Sequence, residues 1–242
     1  MNDVLTRVDD MAKLVVLGVG AHPDDLDFGA GGTFAKFAKE GADCYYLICT
    51  DGSKGTRDPE MTVKKLAEIR KKEQRASAKM LGIKEVFFLD HSDAELVVDL
   101  ALKKEIVRYI RKLKPDIVIT TDPTFIYSDR FVNHSDHRAA GMATIDAVFP
   151  MSRNPMTFPE LKKEGHEVHR VKQMYLVNYQ NPNYAVDISK TVDLKVKALA
   201  QHQSQGIGKN SGFVKDMAAG MGKRWKYKYA EPFFKIEFMI QI

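Results

Sequence analysis

Residues 14–32 read LVVLGVGAHPDDLDFGAGG, and this stretch decides the architecture. LVVLGV (14–19) runs up to Gly20 without a polar residue, the pattern of a strand buried on both faces. One His and two Asp follow at once in AHPDD (21–25). Gly29, Gly31 and Gly32 then open TFAKFAKEGA, whose Phe34, Ala35, Phe37 and Ala38 suit a helix that Gly41 ends. Strand, polar turn and helix make the first unit of an α/β fold.

The same alternation continues downstream. CYYLICT (44–50) reads as a second strand, and a long amphipathic helix over about 61–81 stops at Gly82. VFFL (86–89) is a third strand. Asp99 can cap a helix carrying Leu102, Ile106, Ile110 and Leu113 on one face and ending before Pro115. DIVITT (116–121) is a fourth strand. Strands alternating with helices imply right-handed crossovers and a Rossmann-like, mainly parallel sheet with helices on both faces.

After about Ser152 the pattern loosens. VKQMYLVNY (171–179) and YAVDIS (184–189) read as strands, 191–203 as a helix and KIEFMIQI (235–242) as a terminal strand. No linker, repeat or low-complexity tract separates the halves. The expectation is a single domain over 1–242, with a core over 1–151 and a C-terminal elaboration over 152–242.

Bulk properties exclude several classes. The chain has 242 residues, 44% hydrophobic and 29% charged, enough to bury one sizeable core. The net charge of +5 is spread along helices among acids, as in LKKEIVRYIRKLK (102–114), which marks solvated faces rather than a nucleic-acid surface. No stretch approaches the ~20 apolar residues of a membrane span. The first twenty residues lack a secretory pattern, so a cytoplasmic location is expected. Cys44 and Cys49 lie in or beside one strand without a Cys-x-x-Cys spacing and read as buried, inert thiols. Gly18 and Gly20 suggest a dinucleotide fingerprint, but Pro23 stands at its third position.

In open α/β sheets the ligand site lies beyond the carboxyl ends of the strands. HPDD follows the first strand there, and NHSDHRAAG (133–141) follows the fourth after a short loop. Topology therefore brings two clusters more than a hundred residues apart to one edge. A catalytic zinc takes three N or O ligands and keeps one position open. His22, Asp25 and His137 supply such a set, leaving Asp24 free as general base. His134, three residues before His137, can stabilise an oxyanion or protonate a leaving nitrogen, and Asp136 can orient an imidazole from behind. Taken alone, HPDD is also a common turn, and HEVH (166–169) repeats the His-x-x-His spacing in a polar stretch that reads as surface.

AHPDDLDFGAGG together with NHSDHRAAG resembles the zinc-dependent de-N-acetylases of the LmbE-like and N-acetylglucosaminyl-phosphatidylinositol deacetylase group. The resemblance implies Zn²⁺ on His22, Asp25 and His137, Asp24 as base and His134 assisting the tetrahedral intermediate. It also implies substrate contacts from Arg70, in EIRKKEQRASAKMLG, and from Asp93 after the third strand. By this resemblance HQSQ (202–205) makes His202 a weaker candidate, and AEPF (230–233) matches the closing segment. Ser135 stands where the second motif commonly has Pro. The loop over 122–134 is longer than in compact members, and Tyr127 or Arg130 could reach the site from it.

The expected activity is hydrolysis of an N-acetyl group on a small amino sugar or glycoconjugate, with other divalent metals admissible. Nucleic acid and membrane are not expected as partners, and assembly into a homo-oligomer is left open. Two alternatives stand: an amidase cleaving a sugar–thiol conjugate, and a non-catalytic Rossmann-like metal- or ligand-binding protein.

Overall fold

A computed structural model describes residues 13–207 and 212–239. The first twelve residues and the last three of the expected terminal strand lie outside them. Seven strands form one sheet: β1 (Val15–Gly20), β2 (Asp43–Thr50), β3 (Glu85–His91), β4 (Ile117–Thr121), β5 (Gln173–Val177), β6 (Tyr184–Asp187) and β7 (Ala230–Glu237). Their spatial order is β3-β2-β1-β4-β5-β7-β6, with β7 running antiparallel to both its neighbours and every other pairing parallel. The helices are α1 (Asp25–Lys39), α2 (Val63–Leu81), α3 (Leu100–Leu113), α4 (Ser135–Val148), α5 (Glu160–Lys163), α6 (Val192–Leu199) and α7 (Gly212–Trp225). None of the described helices is long and apolar enough to cross a membrane.

Period-two alternation sorts β1 between two cores. Val16 joins Leu26 and Phe34 of α1, Leu81 of α2 and Ala218 of α7, whereas Leu17 and Val19 join Ile106 and Ile110 of α3 and Ala143 of α4 on the other face. At Gly18 a Cβ would lie 2.7 Å from the Phe34 ring and 2.8 Å from Leu26, so the missing side chain lets α1 lie directly on the strand. Helix ends follow the capping signals: Asp99 Oδ1 accepts from Leu102 N–H at 2.8 Å, and Gly82 closes α2 in the left-handed conformation.

Three expectations are corrected. The glycines at 29, 31 and 32 lie inside α1 rather than before it, because the helix already begins at Asp25. They admit neighbours that a side chain would exclude: a Cβ on Gly32 would fall 2.8 Å from Ile188. β7 begins at Ala230, five residues early, and so contains AEPF. The helix expected over 191–203 ends at Leu199, and a separate turn of 3₁₀ helix covers Gln203–Gln205.

The buried Glu231 explains why AEPF enters the sheet. Its carboxylate accepts from Gly32 N–H at 2.9 Å, Thr33 N–H at 2.7 Å and the Thr33 hydroxyl at 2.6 Å. Lys195 Nζ lies 2.6 Å from Glu231 and donates to the Phe28 carbonyl, also at 2.6 Å. In a regular helix that carbonyl accepts from Gly32. A buried Lys–Glu pair is thus threaded into the middle of α1, with every charge partnered.

Candidate metal centre

β1 and β4 are neighbours in the sheet, and the chain leaves β1 toward β2 on one side and β4 toward β5 on the other. Such a switch point opens a crevice at the strand ends. HPDD fills it from β1, and NHSDH from the loop after β4. On the α4 side the approach is close: a Cβ on Gly141 would lie 2.3 Å from the Thr121 carbonyl oxygen, so the middle of α4 packs directly against the end of β4.

His22, Asp25 and His137 converge, with one ligand atom from each lying within 4.8 Å of the others. Asp25 Oδ1 is 3.0 Å from His137 Nε2, and Asp25 Oδ2 is 3.6 Å from His22 Nδ1. A tetrahedral zinc with N and O ligands holds them about 3.3 Å apart, so the set fits such an ion. The outward nitrogens are oriented from behind. His22 Nε2 lies 3.0 Å from Asp93 Oδ1 and 3.3 Å from Asp136 Oδ2, while His137 Nδ1 lies 3.1 Å from Asn133 Oδ1. The His137 contact is the usual support of a metal-binding imidazole, a far ring nitrogen hydrogen-bonded to a carboxylate or amide oxygen, while His22 Nε2 faces its two carboxylates at ion-pair distance. A second trio, His22, Asp93 and His134, also lies within reach of one ion. One atom of each of two members is engaged elsewhere: Asp93 Oδ2 accepts Lys54 N–H at 2.9 Å and His134 Nδ1 accepts Asp136 N–H at 3.2 Å.

Asp24 sits beside the trio with φ 113°, a left-handed conformation unusual for a residue with a side chain. Gln74 Oε1 accepts its N–H at 2.8 Å, and Arg70 Nη2 lies 3.1 Å from its Oδ2. Burial lifts the Asp24 carboxyl to about 6 against the pull of Arg70. His134 caps α4 with its ring edge-on to His22, centroids 4.7 Å apart. Because Nδ1 accepts a backbone hydrogen bond, the neutral ring carries its proton on Nε2. Burial, and then the charge of His22, lower its pKa.

Arg70 and Asp93 take inward positions. Arg70 is 3% exposed, donating to Gly52 O at 2.8 Å and Pro23 O at 2.5 Å besides meeting Asp24. Asp93 is 4% exposed and faces His22. His202 is fully buried behind the site, its Nε2 2.7 Å from Asp27 Oδ2. Asp27 in turn accepts from Gln74 Nε2 at 3.0 Å, so a polar chain runs from His202 to the backbone of Asp24. HEVH lies at the other end of the sheet: His169 Nε2 meets Pro115 O, just before β4. Tyr127 and Arg130 point into solvent. Phe125 and Phe131 of the same loop instead line a cavity of about 580 Å³ that opens on Asp24, Asp25 and His137. Sequence reading missed these two and Asn133. The Asn-x-x-x-His spacing, which puts Asn133 four residues before His137, was the available signal for the latter.

In the metal-free protein, burial alone would depress His22, yet its contacts with Asp136, Asp25 and Asp93 raise it to about 12. His137 is likewise raised, with Asp25 outweighing burial. His22 therefore carries its second proton at neutral pH, and an ion must displace it. Calorimetric titration in buffers of different ionisation enthalpy should show at least one proton released per ion bound. Apparent affinity should rise with pH by about tenfold per unit for each proton displaced. Binding without proton release would show that His22 is not a ligand.

Fold and site together define an α/β protein of Rossmann-like design with a His/Asp ligand set at the switch point. The PIG-L family model, described as GlcNAc-PI de-N-acetylase, matches residues 17–148, and the chain belongs to that family. A diacetylchitobiose deacetylase of Thermococcus kodakarensis is 36% identical over 220 residues, spanning 89% of this chain and 80% of that protein. A probable N-acetyl-alpha-D-glucosaminyl L-malate deacetylase 2 of Bacillus anthracis is 25% identical over 90% of this chain and 93% of its own length. Among solved structures, N,N'-diacetylchitobiose deacetylase from Pyrococcus horikoshii, complexed with its inhibitor MPG, superposes with a TM-score of 0.85 at 32% identity. The match covers 92% of this chain and 84% of that one.

Proposed function

We propose that the protein is a metal-dependent hydrolase that removes an N-acetyl group from an amino sugar or glycoconjugate, with zinc the metal its donor set suits best. The observation that carries this reading is the pairing of an imidazole–carboxylate trio with a separate, partly buried carboxylate, Asp24, beside it. A pure binding site has no use for Asp24. An ion on His22, Asp25 and His137 would supply Lewis acidity toward the amide carbonyl and make a water molecule easier to deprotonate. Asp24 takes that proton as the water oxygen attacks the carbonyl carbon. His134, with its Nε2–H, hydrogen-bonds the developing oxyanion, and Asp24 passes the proton it took to the departing nitrogen as the C–N bond breaks, so acetate and a free amine leave. Arg70 holds the Asp24 carboxylate in place, and Asp93 with Asp136 fixes the ring of His22. The test is acetate release by metal-loaded protein from a panel of N-acetyl sugars; no release from any of them would end the deacetylase reading.

The inward positions of Arg70 and Asp93 favour support of the centre over contact with sugar hydroxyls. Arg70→Ala and Asp93→Ala should therefore lower kcat/KM by the same factor on an N-acetyl sugar and on a small acetamide, to within about twofold. A loss confined to the sugar substrate would instead return both residues to substrate recognition.

A further inference from the structure

The cavity beside the trio is larger and less polar than an acetyl group requires. Its volume of about 580 Å³ is that of a site for a drug-sized ligand. Leu26 and Phe28 of α1, Phe125 and Phe131 of the 122–134 loop, Val177 at the end of β5 and Met217 of α7 form its wall. The Phe125 and Phe131 rings stack nearly parallel with centroids 5.9 Å apart. Phe131 leaves 54% of its surface exposed and Met217 leaves 38%, apolar area that an occupant would cover.

Three of the polar side chains lining the same space, Asp122, Asn133 and Asn178, are turned to internal work. Asp122 Oδ2 accepts from Asn178 Nδ2 at 2.6 Å, and its Oδ1 takes both the N–H and the hydroxyl of Thr124. Asn178 Oδ1 receives the N–H groups of Gln180 and Asn181. Asn133 is divided between His137 and the Phe125 carbonyl. A sugar ring brings hydroxyls that need partners, whereas a hydrocarbon brings none. An acetyl methyl leaves most of this wall uncovered, whereas a longer apolar group covers it.

We infer that the cavity is a subsite for an apolar group of the substrate: a hydrocarbon acyl chain longer than acetyl, or an apolar aglycone. The inference deepens the deacylase reading and rests on it for catalysis, since the cavity opens directly on Asp24, Asp25 and His137. Each buried methylene is worth about fourfold in binding, so two or three suffice for a tenfold preference.

The experiment compares kcat/KM for amine release from N-acetylglucosamine, N-octanoylglucosamine, phenyl N-acetyl-β-glucosaminide and diacetylchitobiose, using metal-loaded protein. At least a tenfold gain for the octanoyl or the phenyl substrate over N-acetylglucosamine is expected, and the arm that gains tells whether the acyl or the aglycone side enters. That gain should shrink by roughly the same factor in Phe131→Ser and Met217→Gln, both at partly exposed positions that tolerate polar residues. Equal rates on all four, a preference for diacetylchitobiose alone, or a gain untouched by both substitutions would overturn the inference. Calorimetric binding of octanoate against acetate, and of phenyl glucoside against glucose, reads the cavity without turnover. If no substrate is hydrolysed, tighter binding of the apolar member that is lost in the two variants keeps the subsite and removes the deacylase. Equal binding, with or without turnover, removes the subsite.

Discussion

His137→Ala protein should bind no stoichiometric divalent ion and should lose essentially all turnover. Three ligands on two separate segments close the site, and His137 alone ties the α4 segment to Asp25, at 3.0 Å. Two remaining ligands leave an ion with more solvent than protein around it, far from the three protein ligands of a catalytic site. His22→Ala and Asp25→Ala should behave alike. Asp25 has a further duty, because its Oδ2 accepts the His22 N–H at 2.7 Å and shapes the turn that presents the histidine. His166→Ala is the control, at the far end of the sheet from the crevice. Metal content by atomic emission after dialysis decides the matter: about one ion per chain in wild type and in His166→Ala, near none in the three ligand variants. Full occupancy in His137→Ala would move the centre elsewhere, with His22, Asp93 and His134 as the next trio to test.

Asp24→Asn should separate binding from chemistry. The amide keeps the shape of the side chain and its oxygen can still meet Arg70, so the ion should stay at wild-type occupancy. Turnover should fall by about 10²- to 10⁴-fold, the ordinary worth of a positioned acid–base group. In wild type, the rate should decline as pH falls through the Asp24 pKa, since the protonated carboxyl cannot accept a proton. Burial sets that point at about 6 in the metal-free protein, and the charge of a bound cation moves it lower. The acidic limb therefore lies at or below that value and should vanish in Asp24→Asn. A variant that loses its metal would make Asp24 a ligand, and one with unchanged turnover would leave the base unidentified.

Local signals carried the first half of the fold. The buried runs before Gly20, Thr50 and Asp122 and the stops at Gly82 and Pro115 all lie within a few residues of the structure they specify. The switch point was legible because strand order needed only the alternation and the handedness of the crossovers. What escaped depends on distant partners. Glycines inside a helix cost about 1 kcal/mol each, so GAGG reads as a break until Ile188 and Glu231 are seen to press on it from the far end of the chain. Asp93 reads as a turn residue or a sugar contact because nothing near it in sequence shows that it faces His22. The α7 segment GFVKDMAAGMGKRW, with three glycines, carries too weak a helical pattern to stand out. The cavity walls escaped for the same reason: the 122–134 loop was read as reaching the site through Tyr127 or Arg130, and nothing near Phe125, Phe131 or Met217 in sequence shows that they face one another.

The Lys–Glu pair threaded through α1 also has a bearing on the order in which the molecule can be made. Every proposed ligand is part of the chain once residue 137 has been added, so the HPDD turn and the HSDH segment are both made well before synthesis ends. The helix that begins at Asp25 is nevertheless completed by Lys195 and Glu231, which arrive only with the last third of the chain. A nascent chain thus holds its ligands before it holds the scaffold that spaces them. On the proposed ligand set, the spacing that would hold an ion is complete only after β7 brings Glu231 onto α1.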